Sequence, residues 1–269
     1  MRFVRLSAII LFVIAVYFLS NVLSGLLMGF YYAVLAEETS SMAQINLYIT
    51  ENILLSMTIA SIIGIIIYLV YLSVRGDRPG EFLEFNPTNV PIVVMSLVLG
   101  AGVALFLNSI FAAIEIERFF GEEMEMLQDV IDRGGLGIRF LSVGIVIPIF
   151  EEVMYRGMIF NDLKRNLNMN LAILIQAIIF GILHANLYQF VYVVPAGILL
   201  ALVYQWTATL LAPILIHISW NSMSLVMNEY FPGEILAFVN YGLIVVGFLL
   251  ILVSTTFIKN QPRRNKYIF

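Results

Sequence analysis

The feature that most constrains this chain is a succession of apolar runs long enough to cross a lipid bilayer. A transmembrane helix needs about 20 apolar residues to span about 30 Å of hydrocarbon. That rule predicts eight spans, at 6–35, 53–74, 90–114, 140–161, 169–186, 188–206, 207–228 and 234–258. The first is long enough to tilt or to project beyond the bilayer. The break between the sixth and seventh, at Trp206-Thr207, is the least marked. The expected fold class is all-α: a polytopic membrane protein with about eight transmembrane helices.

Composition agrees. The chain is 61% hydrophobic and 12% charged, against about 25% charged residues in a soluble domain. It has no cysteine, which excludes disulfides, a thiol nucleophile and Cys-based metal sites. The net charge is -4, with basic residues scattered in short loops. That leaves no basic surface for nucleic acid. The start, Met1-Arg2-Phe3-Val4-Arg5, resembles a signal peptide. The apolar run from Leu6 is longer than a signal core of about 7–15 residues, so it reads as a retained helix. The final residues, Lys266-Tyr267-Ile268-Phe269, form no CaaX box, so prenylation of the chain itself is not expected.

Loop charge gives an orientation. Arg2 and Arg5, Arg75 and Arg78, Lys164 and Arg165, and Lys259, Arg263, Arg264 and Lys266 fall on one side of an eight-span arrangement. Glu37, Glu38 and Glu51, the acidic stretch from Glu115 to Asp132, and Glu229 and Glu234 fall on the other. The positive-inside rule makes the basic side cytoplasmic, with both termini there. Within Glu115–Arg133, apolar residues alternate with acids, which predicts an amphipathic helix at the outer interface, acting as a connector or a lid. Three regions are expected: 1–136, with the first three spans and this helix; 137–230, with the chemistry; and 231–269, with the last span and a basic tail. Gly100, Gly102 and Ala104 mark close helix packing, within or between chains.

The informative residues are ionisable groups inside spans, which usually face a protein interior or a water cavity. Span four carries Glu151-Glu152 and Arg156. Glu152 and Arg156 are four apart and share a face, so they are expected to pair. Glu151 points about 100° away; with no partner close in sequence, it is the candidate for chemistry. Pro148 removes a backbone donor and should loosen the helix just before it. Span five ends with Phe180 and His184, Phe180 being a packing residue. Span seven holds His217 and Asn221, again four apart on one face; for Asn221, interhelical hydrogen bonding is an alternative role. Gln176 and Asn186 read as polar packing. Counted from Arg139, Glu151 lies about 18 Å down its helix, deeper than His184; a helix starting near Gly144 would level the two.

These residues resemble three motifs of the CPBP family, the CAAX proteases and bacteriocin-processing enzymes also called Abi proteins. The motifs are Glu151-Glu152-x-x-x-Arg156, Phe180-x-x-x-His184 and His217-x-x-x-Asn221, with Tyr155-Arg156-Gly157 and Ala212-Pro213-Ile214-Leu215 beside them. The resemblance covers about residues 140–230. It implies a helical membrane fold around a central catalytic cavity and an intramembrane, glutamate-dependent endopeptidase without a cofactor. By the same resemblance, Glu151 is the general base, His184 helps activate the water, and His217 and Asn221 bind the oxyanion. Glu152, Arg156 and Phe180 are supporting residues. Substrates would be membrane-embedded or lipidated peptides at a bacterial plasma membrane.

The chemistry is compatible, since peptide hydrolysis needs a base for water and donors for a tetrahedral oxyanion. Three alternatives stay open. Glu151, His184 and His217 could ligate zinc, although no His-Glu-x-x-His helix is present. The fold could serve as a non-catalytic scaffold, in bacteriocin immunity or surface-protein sorting. A transporter would show interrupted helices or repeats, and neither is evident.

Overall fold

A computed structural model describes residues 2–35, 41–231 and 237–262. The chain folds into α1 (Arg2–Leu35), α2 (Met42–Glu51), α3 (Ile53–Val74), α4 (Pro79–Phe82), α5 (Val90–Ala113) and α6 (Glu117–Asp132). There follow α7 (136–166), α8 (Met169–Leu183), α9 (Leu187–Thr207), α10 (Leu211–Tyr230) and α11 (Ala237–Lys259). No strand occurs among the described residues. Eight of these helices occupy the eight apolar runs, so the protein is an all-α polytopic membrane protein. Ala8–Leu35, Ile53–Val74, Val90–Ala113, Leu187–Thr207 and Val239–Lys259 are long and apolar enough to cross a membrane unaided. The other three, α7, α8 and α10, carry or adjoin Glu151, Glu152, Arg156, His184 and His217.

Several boundaries differ from expectation. The break expected at Trp206-Thr207 lies at 208–210, where Ala208 turns with φ 50°. The short α2 was not anticipated; Ser41 and Gln44 close a reciprocal cap at its start, a signature readable in sequence. Nor does α7 start late at Gly144. It is helical from Leu136, with wide π-helical turns at Phe140–Val146 and Val153–Phe160 around an α-helical centre, Ile147–Glu152. Glu37, Glu38, Glu234, Arg263, Arg264 and Lys266 lie outside the described residues, as do the side chains of Arg2 and Arg5.

Alternate loops gather at opposite ends. At the basic end the guanidinium groups of Arg75 and Arg165 lie 4.9 and 4.5 Å from the Phe82 ring centre. Lys164 pairs with Glu84 at 3.2 Å. The α9–α10 turn is stitched to the same place: Leu210 N–H donates to the Glu84 carbonyl, and Asn86 Nδ2 donates to that of Ala208. At the other end Arg139 pairs with Asp132 at 2.9 Å and Glu229 at 3.4 Å. A cavity of about 330 Å³ lies there, lined by Asp132, Arg139 and Glu229 among others. None of the residues singled out in the three motifs lines it.

The α6 helix, kinked at Phe120, lies over the α8–α9 turn. Asn186 Nδ2 donates to the Glu123 carbonyl at 3.0 Å, and the Phe120 and Tyr188 rings meet at 6.3 Å. The amphipathic segment thus covers the end of α8, where His184 sits.

Small residues bring helices together within the chain. A Cβ on Gly100 of α5 would lie 2.2 Å from the Ile216 carbonyl oxygen and 2.9 Å from Trp220 N of α10. At Gly102, a Cβ would meet Leu250 Cβ of α11 at 2.8 Å. Ser219 Oγ also donates to the Leu97 carbonyl at 2.6 Å. Backbone cannot yield as a side-chain tip can. Gly100→Ala is therefore expected to lower stability by about 1–3 kcal/mol, measured by thermal unfolding in detergent. It also moves α10 next to His217.

Candidate active site

The site begins with the hairpin of α7 and α8. Glu151 lies fifteen residues before Asn166, the last residue of α7, and His184 fifteen after Met169, the first of α8. Measured from the shared turn at 167–168, both lie about 22 Å along their helices at 1.5 Å per residue. The depth conflict disappears because α7 continues to Asn166, beyond the expected end of span four at 161, not because it starts late. His184 Nε2 approaches Glu151 Oε1 at 3.8 Å.

The third wall is α10. His217 Nε2 lies 3.5 Å from Glu151 Oε2, so each oxygen of Glu151 faces one imidazole. Side-chain exposure is 17% for Glu151, 14% for His184 and 5% for His217. The group is mostly enclosed, with Glu151 and His184 more accessible than His217.

Both rings are fixed from behind. His184 Nδ1 is 2.8 Å from the Phe180 carbonyl one turn back. A carbonyl only accepts, so Nδ1 carries the proton and Nε2 turns its other face to Glu151. His217 Nδ1 is 2.9 Å from Glu152 Oε1. That same oxygen accepts from Arg156 Nη1 at 2.7 Å. Glu152 and Arg156 are fully buried, and Arg156 Nη2 also reaches the Gly197 carbonyl at 3.3 Å. The expected pair is present, but Glu152 has a second duty: it orients His217. A carboxylate behind a ring nitrogen fixes tautomer and ring orientation.

Phe180 is the hub of the packing. Arg156 lies 4.6 Å from its ring centre. The Tyr155, His184 and His217 rings lie at 4.4, 4.9 and 6.0 Å, the two imidazoles edge-on. Gln176, expected as polar packing, donates to the Gly197 carbonyl at 2.9 Å beside Arg156. The Gly197 backbone and the Glu152–His217 contact were not foreseen. Neither leaves a local mark, because they join positions 41 and 65 residues apart.

Asn221 does not join Glu151. Its Nδ2 donates to the Val143 carbonyl, in the first π-helical segment of α7, at 3.0 Å. One N–H of the amide is thereby used, and the other stays available. Among the described residues, no group of three or more His, Asp or Glu is arranged to hold a metal ion.

Residues 134–223 match the family model described as type II CAAX prenyl endopeptidase Rce1-like. The chain is 30% identical over 182 residues to the Bacillus subtilis (strain 168) protein named "Putative membrane peptidase YdiL", covering 66% of this chain and 75% of that one. No solved structure matches.

Proposed function

The chain belongs to the CPBP family of Rce1-like intramembrane proteases, and on that premise we propose that it hydrolyses a peptide bond of a membrane-associated substrate with a water activated by Glu151. The observation that carries this reading is the enclosed Glu151 carboxylate with an imidazole Nε2 facing each oxygen. Separations of 3.5 and 3.8 Å are long for direct hydrogen bonds, which leaves all three groups free to turn toward one water seated beside them.

In the proposed sequence, Glu151 takes a proton from that water while His184 Nε2 holds it in line. The water oxygen bonds to the scissile carbonyl carbon, whose π electrons pass to oxygen. His217 Nε2 and the second N–H of Asn221 stabilise this oxyanion. Collapse of the intermediate breaks the C–N bond, and protonated Glu151 returns its proton to the leaving amine. Glu152 and Arg156 act through His217; Phe180 spaces the rings.

The substrate class is a membrane-embedded or lipidated peptide. Residues 137–230 carry the chemistry, and the flanking helices form its shell. The gathering of Arg75, Lys164, Arg165 and Lys259 near one end supports a plasma-membrane orientation with both termini cytoplasmic.

The test compares membrane peptides from cells carrying wild type or Glu151→Gln. Uncleaved precursors are expected to accumulate in the variant. Identical peptide profiles would remove the protease reading and favour the scaffold. Cleavage by purified protein is expected to persist after exhaustive chelation, within about twofold of the untreated rate. A loss restored by zinc would instead give Glu151 and the imidazoles to a metal.

A further inference from the structure

The residues before Pro148 leave a gap in the α7 hydrogen-bond ladder. In the π-helical turn the Ile147 N–H donates to the Ser142 carbonyl, five residues back. In that register the Val143 carbonyl would take the N–H of residue 148, but residue 148 is proline and has none. Val143 is partly buried, and a carbonyl shielded from water without a donor normally finds a partner elsewhere. Here the partner comes from another helix: Asn221 of α10 donates Nδ2 to Val143 O at 3.0 Å. Ser222 Oγ reaches the neighbouring Gly144 carbonyl at 3.5 Å. Gly144 allows this approach, because a Cβ there would stand 2.9 Å from Ser222 Oγ.

We propose that Pro148 is a positioning residue, and that it holds the Val143 carbonyl open so that Asn221 can dock there. Docking fixes α10 against the helix that carries Glu151. It also aims the remaining N–H of Asn221, four residues beyond His217 on the same face. Pro148 thus does more than loosen the helix before Glu151. The kinetic arm of this inference rests on the hydrolytic reading above; the structural arm does not.

An N–H restored at position 148 competes with Asn221 for Val143. Pro148→Ala removes a helix-breaking residue and is expected to raise the melting temperature. It is also expected to lower kcat about tenfold with KM unchanged, because the amide loses its mooring. A purely structural proline predicts the higher melting temperature with unchanged kcat.

The double-mutant cycle reads the docking without any substrate. With Pro148 present, Asn221→Ala is expected to lower the melting temperature by about 2–4 °C. In the Pro148→Ala background it should lower it by less than half as much. Additive shifts overturn the docking, and an unchanged kcat in Pro148→Ala overturns the positioning role. If wild type proves as inactive as Glu151→Gln, the fault lies with the hydrolytic reading, and the melting cycle still decides the docking.

Discussion

Glu151→Gln is expected to lower kcat/KM by about 10²–10⁴-fold, the usual worth of a positioned general base. Glutamine matches glutamate in shape but accepts no proton, so the loss should appear in kcat. Folding should be spared. Glu151 keeps 17% of its side chain exposed, and its two imidazole neighbours stand at 3.5 and 3.8 Å, so no tight buried pair is broken. Glu152→Gln should behave differently, although the residue is adjacent. Its oxygen holds Arg156 at 2.7 Å and His217 at 2.9 Å, so stability and activity should fall together. Turnover and melting temperature of both variants in proteoliposomes separate the two carboxylates.

Arg156→Met is expected to destabilise the protein by about 3–5 kcal/mol, the range for breaking a buried ion pair from one side. Arg156 and Glu152 are fully buried, and Arg156 also covers the Phe180 ring at 4.6 Å. Methionine fills much of the volume but leaves the Glu152 charge to His217 alone. Removing both charges should be milder for stability, because an apolar pair of similar volume often replaces a buried ion pair with little loss. The double variant Glu152→Leu/Arg156→Met should therefore melt above Arg156→Met. It should remain inactive, since His217 has lost the group that orients it. Thermal unfolding and cleavage assays on the same samples decide both points.

The helices were legible because a bilayer demands long apolar runs, and eight such runs are separated by polar turns. The residues of the site were legible for the opposite reason: Glu151, Arg156, His184 and His217 violate those runs. What stayed hidden depends on other things. Of the two π-helical segments of α7, Pro148 hinted only at the first, which it adjoins, and nothing in the sequence marked the second. The shared depth of Glu151 and His184 required knowing that α7 runs on to Asn166, whereas span four was expected to end at 161. The pairing of Glu152 with His217 joins α7 to α10, and no spacing rule reaches that far. For Asn221, an interhelical hydrogen bond was an expected alternative, but its partner, the Val143 carbonyl, was not legible.

The central claim is that the nucleophile is a water lodged between Glu151 and two imidazoles, and no side chain of the protein. Single-turnover cleavage in ¹⁸O-labelled water, quenched within one cycle and read by mass spectrometry, tests it directly. The account predicts one labelled oxygen in the new C-terminal carboxylate and an unmodified protein at every time point. An acyl adduct on a hydroxyl such as that of Ser219, formed and lost at the rate of turnover, would contradict it.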